Sequence, residues 1–169
     1  LRMRRPSITV RVDDPLPALV SPGSARTGTE PGLSVLVRER AQLEALEGLG
    51  LDTVYLDFEF GKEYGPSVET VRRMGFRAGI ATTRILKPGE LAHLKVIERL
   101  APEAVLVRNL GALAFFRDKG LPLVGDFSLN VANSISANWF YEHGVSRLCP
   151  SYDLNREQLL ELVEAAPAI

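Results

Sequence analysis

The chain has 169 residues, of which 46% are hydrophobic and 24% are charged, and its formal net charge at pH 7 is −1. This length allows one domain with a substantial core. A net charge near zero gives no support for a surface that follows nucleic-acid phosphates. The apolar stretches are no longer than strands, so we expect no membrane partner.

The first 32 residues are expected to precede the main domain. Residues Ile8–Val12 alternate apolar and polar side chains, which predicts a half-exposed strand. The stretch from Asp13 to Gly32 is rich in proline, glycine and hydroxyl side chains, which predicts a linker. The basic residues that open the chain are not followed by an apolar segment, so no signal peptide is recognised.

From residue 33 onward, apolar segments alternate with segments of helical spacing. The apolar segments predict strands that are covered on both faces. They are Leu33–Val37, Thr53–Phe58, Arg77–Ala81, Ala104–Val107, Leu121–Gly125 and Arg147–Cys149. Repeated strand–helix units predict a parallel α/β fold over residues 33–169, a (β/α) barrel-like domain related to the TIM barrel. A full barrel takes about 250 residues, so we expect an incomplete one.

Capping residues predict where some of the intervening helices begin. Pro88 is placed in a first helical turn, before an apolar stripe that includes Leu94 and Ile97. Ser134 is expected to cap a helix whose residues Ile135 and Trp139 face inward.

The last helix has the clearest start signal. Asn155, with Gln158 three residues later, predicts a capping box. Leu159, Leu162 and Val163 then predict the buried face of this helix.

Cys149 is the one cysteine of the chain, and it limits the chemistry available. It excludes an internal disulfide, and it excludes an iron–sulfur cluster held by four thiolates of this chain. It is compatible with a reducing cytoplasm, where we expect the protein to be located. Its position after an apolar strand predicts a buried, inert thiol. Since the generic hydrolase, zinc-protease and nucleotide-binding motifs are missing from the sequence, we assign no catalytic residue and no metal ligand.

Polar side chains follow every predicted strand. Because the carboxyl ends of parallel strands meet at one edge of a sheet, these side chains are expected to form one rim. The candidate ligand-binding residues on this rim are Asp57, Arg84, Arg108, Asn109, Asp126, Ser128, Asn130, Asn133, Ser151 and Tyr152.

Two interpretations of the rim stay open. Arginine beside carboxylates and amides suits a small anionic or polar ligand, because guanidinium grips a carboxylate or phosphate bidentately. Alternatively, the same groups cap helices and pair with one another. Asp57 and Glu59 present the same choice, since they could bind a cation or transfer protons, or form salt bridges to Arg84 or Arg108.

Several segments, in order, resemble the peptidase U32 family of collagenase-like proteases over residues 33–166. They are Tyr55-Leu56-Asp57-Phe58, Ala81-Thr82-Thr83-Arg84-Ile85, Val107-Arg108-Asn109-Leu110-Gly111, the run from Gly125 to Ser134, and the run from Pro150 to Asn155. The resemblance implies a (β/α) barrel-like domain. It also implies a cysteine-rich segment downstream of the last of these runs, and a hydroxyl residue in the place of Cys149.

The resemblance implies two alternative functions, and a third interpretation comes from another class. The first is a fragment of a U32-family peptidase that is not active alone, with the remainder of the parent chain and a peptide substrate as its partners. The second is part of a family member that hydroxylates ribosomal or transfer RNA, or that acts in quinone biosynthesis, with an iron–sulfur cluster on the downstream cysteines of the parent and no cofactor in this chain. The third, which does not depend on the resemblance, is a non-catalytic scaffold that presents a binding rim to its partner domain.

Overall fold

The computed structural model describes residues 32–166, which form an α/β fold around a parallel six-stranded sheet. The strands lie side by side in chain order, from β1 to β6. Their bounds are β1 Ser34–Val37, β2 Thr53–Leu56, β3 Arg77–Ala81, β4 Ala104–Val107, β5 Leu123–Gly125 and β6 Val145–Leu148. Within the described residues β1 and β6 do not pair, so the sheet is not closed.

A helix follows each strand, as a parallel sheet requires of its crossovers. The helices are α1 Arg40–Glu44, α2 Tyr64–Arg73, α3 Ala92–Leu100, α4 Leu110–Phe116, α5 Ser134–Glu142 and α6 Arg156–Ala165. Short 3₁₀ turns at Gly61–Glu63 and Phe127–Leu129 precede α2 and α5. No helix among the described residues combines the length and apolar character needed to cross a bilayer.

The predicted fold class is confirmed, and so is each predicted strand, with changes at the ends. The largest change is in the last strand, which begins at Val145 rather than Arg147. An irregular register places Val145 opposite Leu123 and Arg147 opposite Val124, so Ser146 is skipped. A residue without a partner in the register interrupts the apolar pattern along the strand. The start of this strand could therefore not be recognised from the sequence. The predicted strand Ile8–Val12 and the linker up to residue 31 lie outside the described residues.

One helix starts later than predicted, and one helix was not predicted. Pro88 lies in a turn closed by a hydrogen bond from Glu90 to Lys87, and α3 begins only at Ala92. Helix α2 was not predicted, because Gly65 and Pro66 lie in its first turn. Proline is tolerated there, since the first amides of a helix have no intrahelical acceptor.

The inward faces of the last two helices are narrower than predicted. In α5 the buried residues are Ala137 and Phe140, whereas Ile135 and Trp139 are exposed, and the N-cap is Asn133 rather than Ser134.

In α6 the capping box of Asn155 and Gln158 is confirmed. Only Leu162 of its expected apolar face is buried, and Leu159 and Val163 are exposed. An apolar stripe at helical spacing indicates which face of a helix points toward the core. In these helices only the residues at the centre of that face are buried.

The core lies on both faces of the sheet. The larger apolar cluster packs between the sheet and the helices, and a smaller one includes Tyr55, Ala81 and Leu106. The ring of Tyr55 lies where a side chain at Gly79, its neighbour on β3, would have to start. Glycine at this position therefore allows a large aromatic ring on the smaller-cluster side of the sheet.

Tyr64, the first residue of α2, fixes the loop that follows β2. Its side chain is 1% exposed, and its hydroxyl donates a hydrogen bond of 2.7 Å to the carbonyl oxygen of Phe58. Burial, and secondarily the negative charge of Asp57, raise the pKa of Tyr64 from 10.0 to about 12. The neutral phenol thus holds the backbone one residue beyond Asp57.

We predict that Tyr64→Phe lowers the free energy of unfolding by about 1–2 kcal/mol at pH 7, because the carbonyl of Phe58 loses its donor. A pKa raised on folding contributes stability that is present below pH 10 and is lost between pH 10 and about 12. Urea denaturation at pH 7 to 12 should therefore show a shallower alkaline loss for Tyr64→Phe than for wild type. Tyr152→Phe, at an exposed position, is the matched control. Equal stability and equal alkaline slopes for Tyr64→Phe and wild type would contradict this role.

Candidate functional site

The candidate site is built around a buried arginine at the carboxyl end of β4. Only 5% of the Arg108 side chain is exposed. Its Nε donates to Oδ2 of Asp126 at 3.2 Å, and its Nη1 donates to Oδ1 of Asp57 at 2.9 Å. Asp57 follows β2 and Asp126 follows β5, so one guanidinium joins the ends of strands on both sides of it.

Two hydroxyl side chains complete this network. The backbone N–H of Arg108 donates to Oγ1 of Thr82 at 3.0 Å, which joins the ends of β3 and β4. Oγ of Ser128 lies 3.0 Å from the carbonyl oxygen of Arg108 and 3.1 Å from Oδ2 of Asp126. We call Asp57, Thr82, Arg108, Asp126 and Ser128 the Arg108 cluster.

Arg38 extends the cluster to β1 and to solvent. Its Nε lies 3.4 Å from Oδ2 of Asp57, and its side chain is 63% exposed. An exposed pair of this kind contributes about 0–1 kcal/mol to stability. Arg38 therefore lies on the solvent side of the cluster, whereas Arg108 is buried within it.

One nitrogen of the buried guanidinium is not used by the cluster. Nε and Nη1 of Arg108 bond to Asp57, Asp126 and the carbonyl oxygen of Thr82. Nη2 makes no hydrogen bond within residues 32–166. Because the two carboxylates hold the guanidinium plane, the direction of the remaining donors is fixed in advance.

The predicted asparagines act mainly in helix capping. Oδ1 of Asn109 accepts from the backbone of Ala112 at 2.8 Å, at the start of α4, and its Nδ2 donates to the carbonyl of Thr83 at 2.7 Å. Oδ1 of Asn133 accepts from the backbone of Ser136 at 2.9 Å, at the start of α5.

Asn130 ends the 3₁₀ turn Phe127–Leu129 in a left-handed conformation with a φ of 55°. The described contacts do not join any of the three asparagines to the Arg108 cluster, although we expected them to share one rim with Arg108.

A second group of rim residues surrounds Phe127. The Cζ atom of Arg84 lies 4.9 Å from the centre of the Phe127 ring, and the Tyr152 ring is also 4.9 Å away, tilted by 58°. Tyr152 is 75% exposed, and Arg84 is exposed as well. We call Arg84, Phe127 and Tyr152 the aromatic edge. The sequence interpretation missed Phe127, although its position between Asp126 and Ser128 was a signal that it stands at the rim.

Ser151 is buried and hydrogen-bonded, whereas Glu59 is exposed. Ser151 is buried, its backbone N–H donates to the carbonyl of Val131 at 2.9 Å, and its hydroxyl lies 3.5 Å from Oδ2 of Asp153. Glu59 is exposed and forms no ion pair with the described residues, so it does not share a site with Asp57. Of the two proposed salt-bridge partners of Asp57, Arg108 is the one that the structure supports.

The prediction that Cys149 is buried is wrong, since the residue is exposed. Its backbone continues the pairing of β6 with β5 through a hydrogen bond of 2.8 Å to Gly125, and the strand ends there at the open rim. Desolvation of the thiol, and secondarily the negative charge of Asp126, raise the pKa of Cys149 above its usual value. A raised pKa leaves less thiolate at neutral pH, so the residue is not an activated nucleophile.

The two histidines are engaged by backbone carbonyls. Nε2 of His93 lies 3.2 Å from the carbonyl oxygen of Ala81, and Nδ1 of His143 lies 2.7 Å from that of Trp139. Neither imidazole hydrogen-bonds a hydroxyl or thiol of the described residues. A nucleophile activated by histidine is therefore not assembled in this part of the chain.

The iron–sulfur cluster implied by the family resemblance does not fit these residues. Such a cluster takes four protein ligands, and the chain has one cysteine. Within residues 32–166, no group of three or more histidine, cysteine, aspartate or glutamate side chains is arranged to hold a metal ion. We derive no chemical step through a metal or a cluster.

Comparison with solved structures gives TIM-barrel-like neighbours. The U32 peptidase Mk0906 aligns with a TM-score of 0.62 and 14% identity, covering 86% of this chain and 70% of that one. The 3-dehydroquinate dehydratase from Aquifex aeolicus VF5 aligns with a TM-score of 0.56 and 17% identity, covering 79% and 72% of the two chains. No protein-family model and no curated protein sequence matches the chain. At these identities the likeness shows the fold alone.

We predict that Arg108→Ala lowers the free energy of unfolding by about 3–5 kcal/mol, because it leaves two carboxylates without their shared cation. Arg38→Ala, which removes the exposed partner of Asp57, should cost about 0–1 kcal/mol and serves as the control. Urea denaturation at pH 7 measures both. A loss below about 1 kcal/mol for Arg108→Ala would show that the buried guanidinium does not hold the rim together.

Proposed function

We propose that this chain is the barrel domain of a U32-type protein and that its rim binds the polypeptide substrate. Two lines support the family: the likeness in fold to a U32 peptidase, and the ordered sequence segments that resemble the family. The rim stands at the carboxyl ends of parallel strands, where α/β folds place their ligands.

The observation that carries the proposal is that Nη2 of Arg108 has no hydrogen-bond partner within residues 32–166, while its guanidinium is held in a charge-compensated cluster. The charge of the guanidinium is already balanced by Asp57 and Asp126. A donor whose charge is compensated suits a neutral acceptor, such as a peptide carbonyl oxygen, better than it suits a phosphate. Holding the donor in place before binding also reduces the entropy lost when the ligand is ordered.

Exposed groups on both sides of the cluster can contact the side chains of a bound peptide. Arg38 stands beside Asp57 at the end of β1, and the aromatic edge stands beyond β3, β5 and β6. Between them lies the buried cluster, which contacts backbone rather than side chains in this proposal. In this arrangement the buried cluster binds the peptide backbone, and the exposed groups contact the peptide side chains.

We propose further that the chain does not hydrolyse the polypeptide by itself. The hydroxyl of Ser128 bonds to Asp126, and the carboxylate of Asp126 is already paired with the guanidinium of Arg108. Cys149 has a raised pKa, and the hydroxyl of Ser151 has Asp153 as its described partner, at 3.5 Å. Hydrolysis requires an activated nucleophile or a metal-bound water, and the described residues assemble neither.

The test is binding and cleavage of casein and gelatin, each denatured and fluorescently labelled, by the purified chain. Fluorescence anisotropy should show binding, and gels should show intact protein after long incubation. Arg108→Lys keeps the charge but removes the fixed fork of donors, so we expect affinity to fall about tenfold or more, as for one charge-assisted hydrogen bond. Arg73→Lys, at an exposed position of α2, is the matched control and should bind as wild type does.

Two results would contradict the proposal. One is the absence of any binding by a folded wild-type chain. The other is robust cleavage that Cys149→Ser or Ser151→Ala abolishes, since such cleavage would reveal an activated nucleophile. Circular dichroism of each variant ensures that a loss of binding is not a loss of fold.

A further inference from the structure

We infer that the aromatic edge is a specificity subsite that takes an aromatic side chain of the bound peptide together with a neighbouring carboxylate. The inference rests on the proposed function in one respect, namely that the ligand is a polypeptide. It adds the class of sequence that the rim selects. Arg84, Phe127 and Tyr152 are the residues that would make the selection.

The first argument is the exposure of Tyr152. Three quarters of this residue faces solvent, and the ring contact described for it is the one with Phe127. An exposed aromatic ring offers a large apolar surface at a low cost in side-chain entropy. A second aromatic ring can pack on it in a tilted or offset arrangement.

The second argument is that the edge is fixed before a ligand binds. Phe127 is half-buried, and its chain neighbours Asp126 and Ser128 both belong to the Arg108 cluster. The ring of Phe127 thus stands on a segment held by hydrogen bonds. The ring of Tyr152 packs against the ring of Phe127. The exposed ring is thus in contact with a residue that the Arg108 cluster holds in place.

The third argument is the state of Arg84. Its guanidinium lies over the ring of Phe127, and it forms no hydrogen bond or ion pair within residues 32–166. Five N–H donors are therefore available beside an aromatic surface. Guanidinium binds a carboxylate bidentately, and the ring beneath it limits its motion.

The surrounding charges favour a peptide over a nucleic acid. Asp153 follows Tyr152 directly and is exposed. A phosphate chain would need several cations in a row, and the net charge of this chain is −1. The one arginine of the aromatic edge can pair with a single carboxylate next to an aromatic ring, but it cannot neutralise a row of phosphates.

The test compares short peptides by NMR titration of the ¹⁵N-labelled chain. The probes are acetyl-Gly-Phe-Asp-Gly amide, the same peptide with Leu for Phe, and the same peptide with Asn for Asp. We expect the first to bind about three- to tenfold more tightly than either of the others, which is the usual range for one aromatic pair or one exposed cation contact. Tyr152→Ala should remove the preference for Phe over Leu, and Arg84→Gln should remove the preference for Asp over Asn.

Matched controls keep both variants interpretable. Trp139→Ala removes an exposed aromatic residue from α5, and Arg73→Gln removes an exposed arginine from α2, and both should retain the two preferences. The comparison of peptides on the wild-type chain needs no variant, so a folding defect cannot decide the result.

The outcomes separate this inference from the proposed function. If all three peptides bind equally, or if Tyr152→Ala and Arg84→Gln change nothing, the subsite is wrong while polypeptide binding stands. If no peptide binds and labelled casein does not bind either, the proposed function fails as well. If an oligouridylate of five nucleotides binds at the aromatic edge more tightly than the Phe-Asp peptide, the peptide assignment is overturned in favour of a nucleic acid.

Discussion

The rim depends on one interaction, the ion pairing of the buried Arg108 guanidinium with Asp57 and Asp126. Removing a charged group from water costs several kcal/mol, and the cost is recovered only when partners and hydrogen bonds are well placed. Here the partners come from the ends of β2 and β5, and Thr82 supplies a further contact from β3. Since none of these residues is close to Arg108 in sequence, the cluster can form only when the strands lie in order. It therefore ties the position of the rim to the correct assembly of the sheet.

The division between buried and exposed groups gives the rim two roles. The buried cluster fixes positions, and Tyr64 fixes the loop next to it through the carbonyl of Phe58. Arg38, Arg84 and Tyr152 stand outside and have uncommitted surface. Asn109 and Asn133 begin the helices that follow the rim. Exposed groups that a buried network already holds in place lose little entropy when they bind a ligand. The buried cluster therefore contributes to binding, although the exposed groups make the contacts.

Much of this could be predicted from the sequence, because a parallel strand leaves a simple pattern. Apolar runs followed at once by polar residues located Asp57, Arg108 and Asp126, and the shared edge of a parallel sheet implied that they meet. The sequence offered both ligand binding and ion pairing for these residues, and it could not decide between them, since charges that bind a ligand and charges that bind each other look alike in sequence. Phe127 was not predicted as a rim residue, because an aromatic residue after a strand usually belongs to the hydrophobic core. Trp139 was misplaced for the related reason that helical spacing gives the direction of a face and not the extent of its burial.

The most direct test of the central claim is the NMR signal of the Arg108 side chain. A guanidinium that is 5% exposed and bonded through Nε to Asp126 should give a resolved Nε–H resonance at pH 7. Its hydrogen exchange should be much slower than that of the exposed Arg73, and its position should shift when Asp126→Asn removes the charge of the acceptor. Exchange as fast as that of Arg73, with no response to Asp126→Asn, would contradict the account, because the rim would then lack the anchor on which it is built.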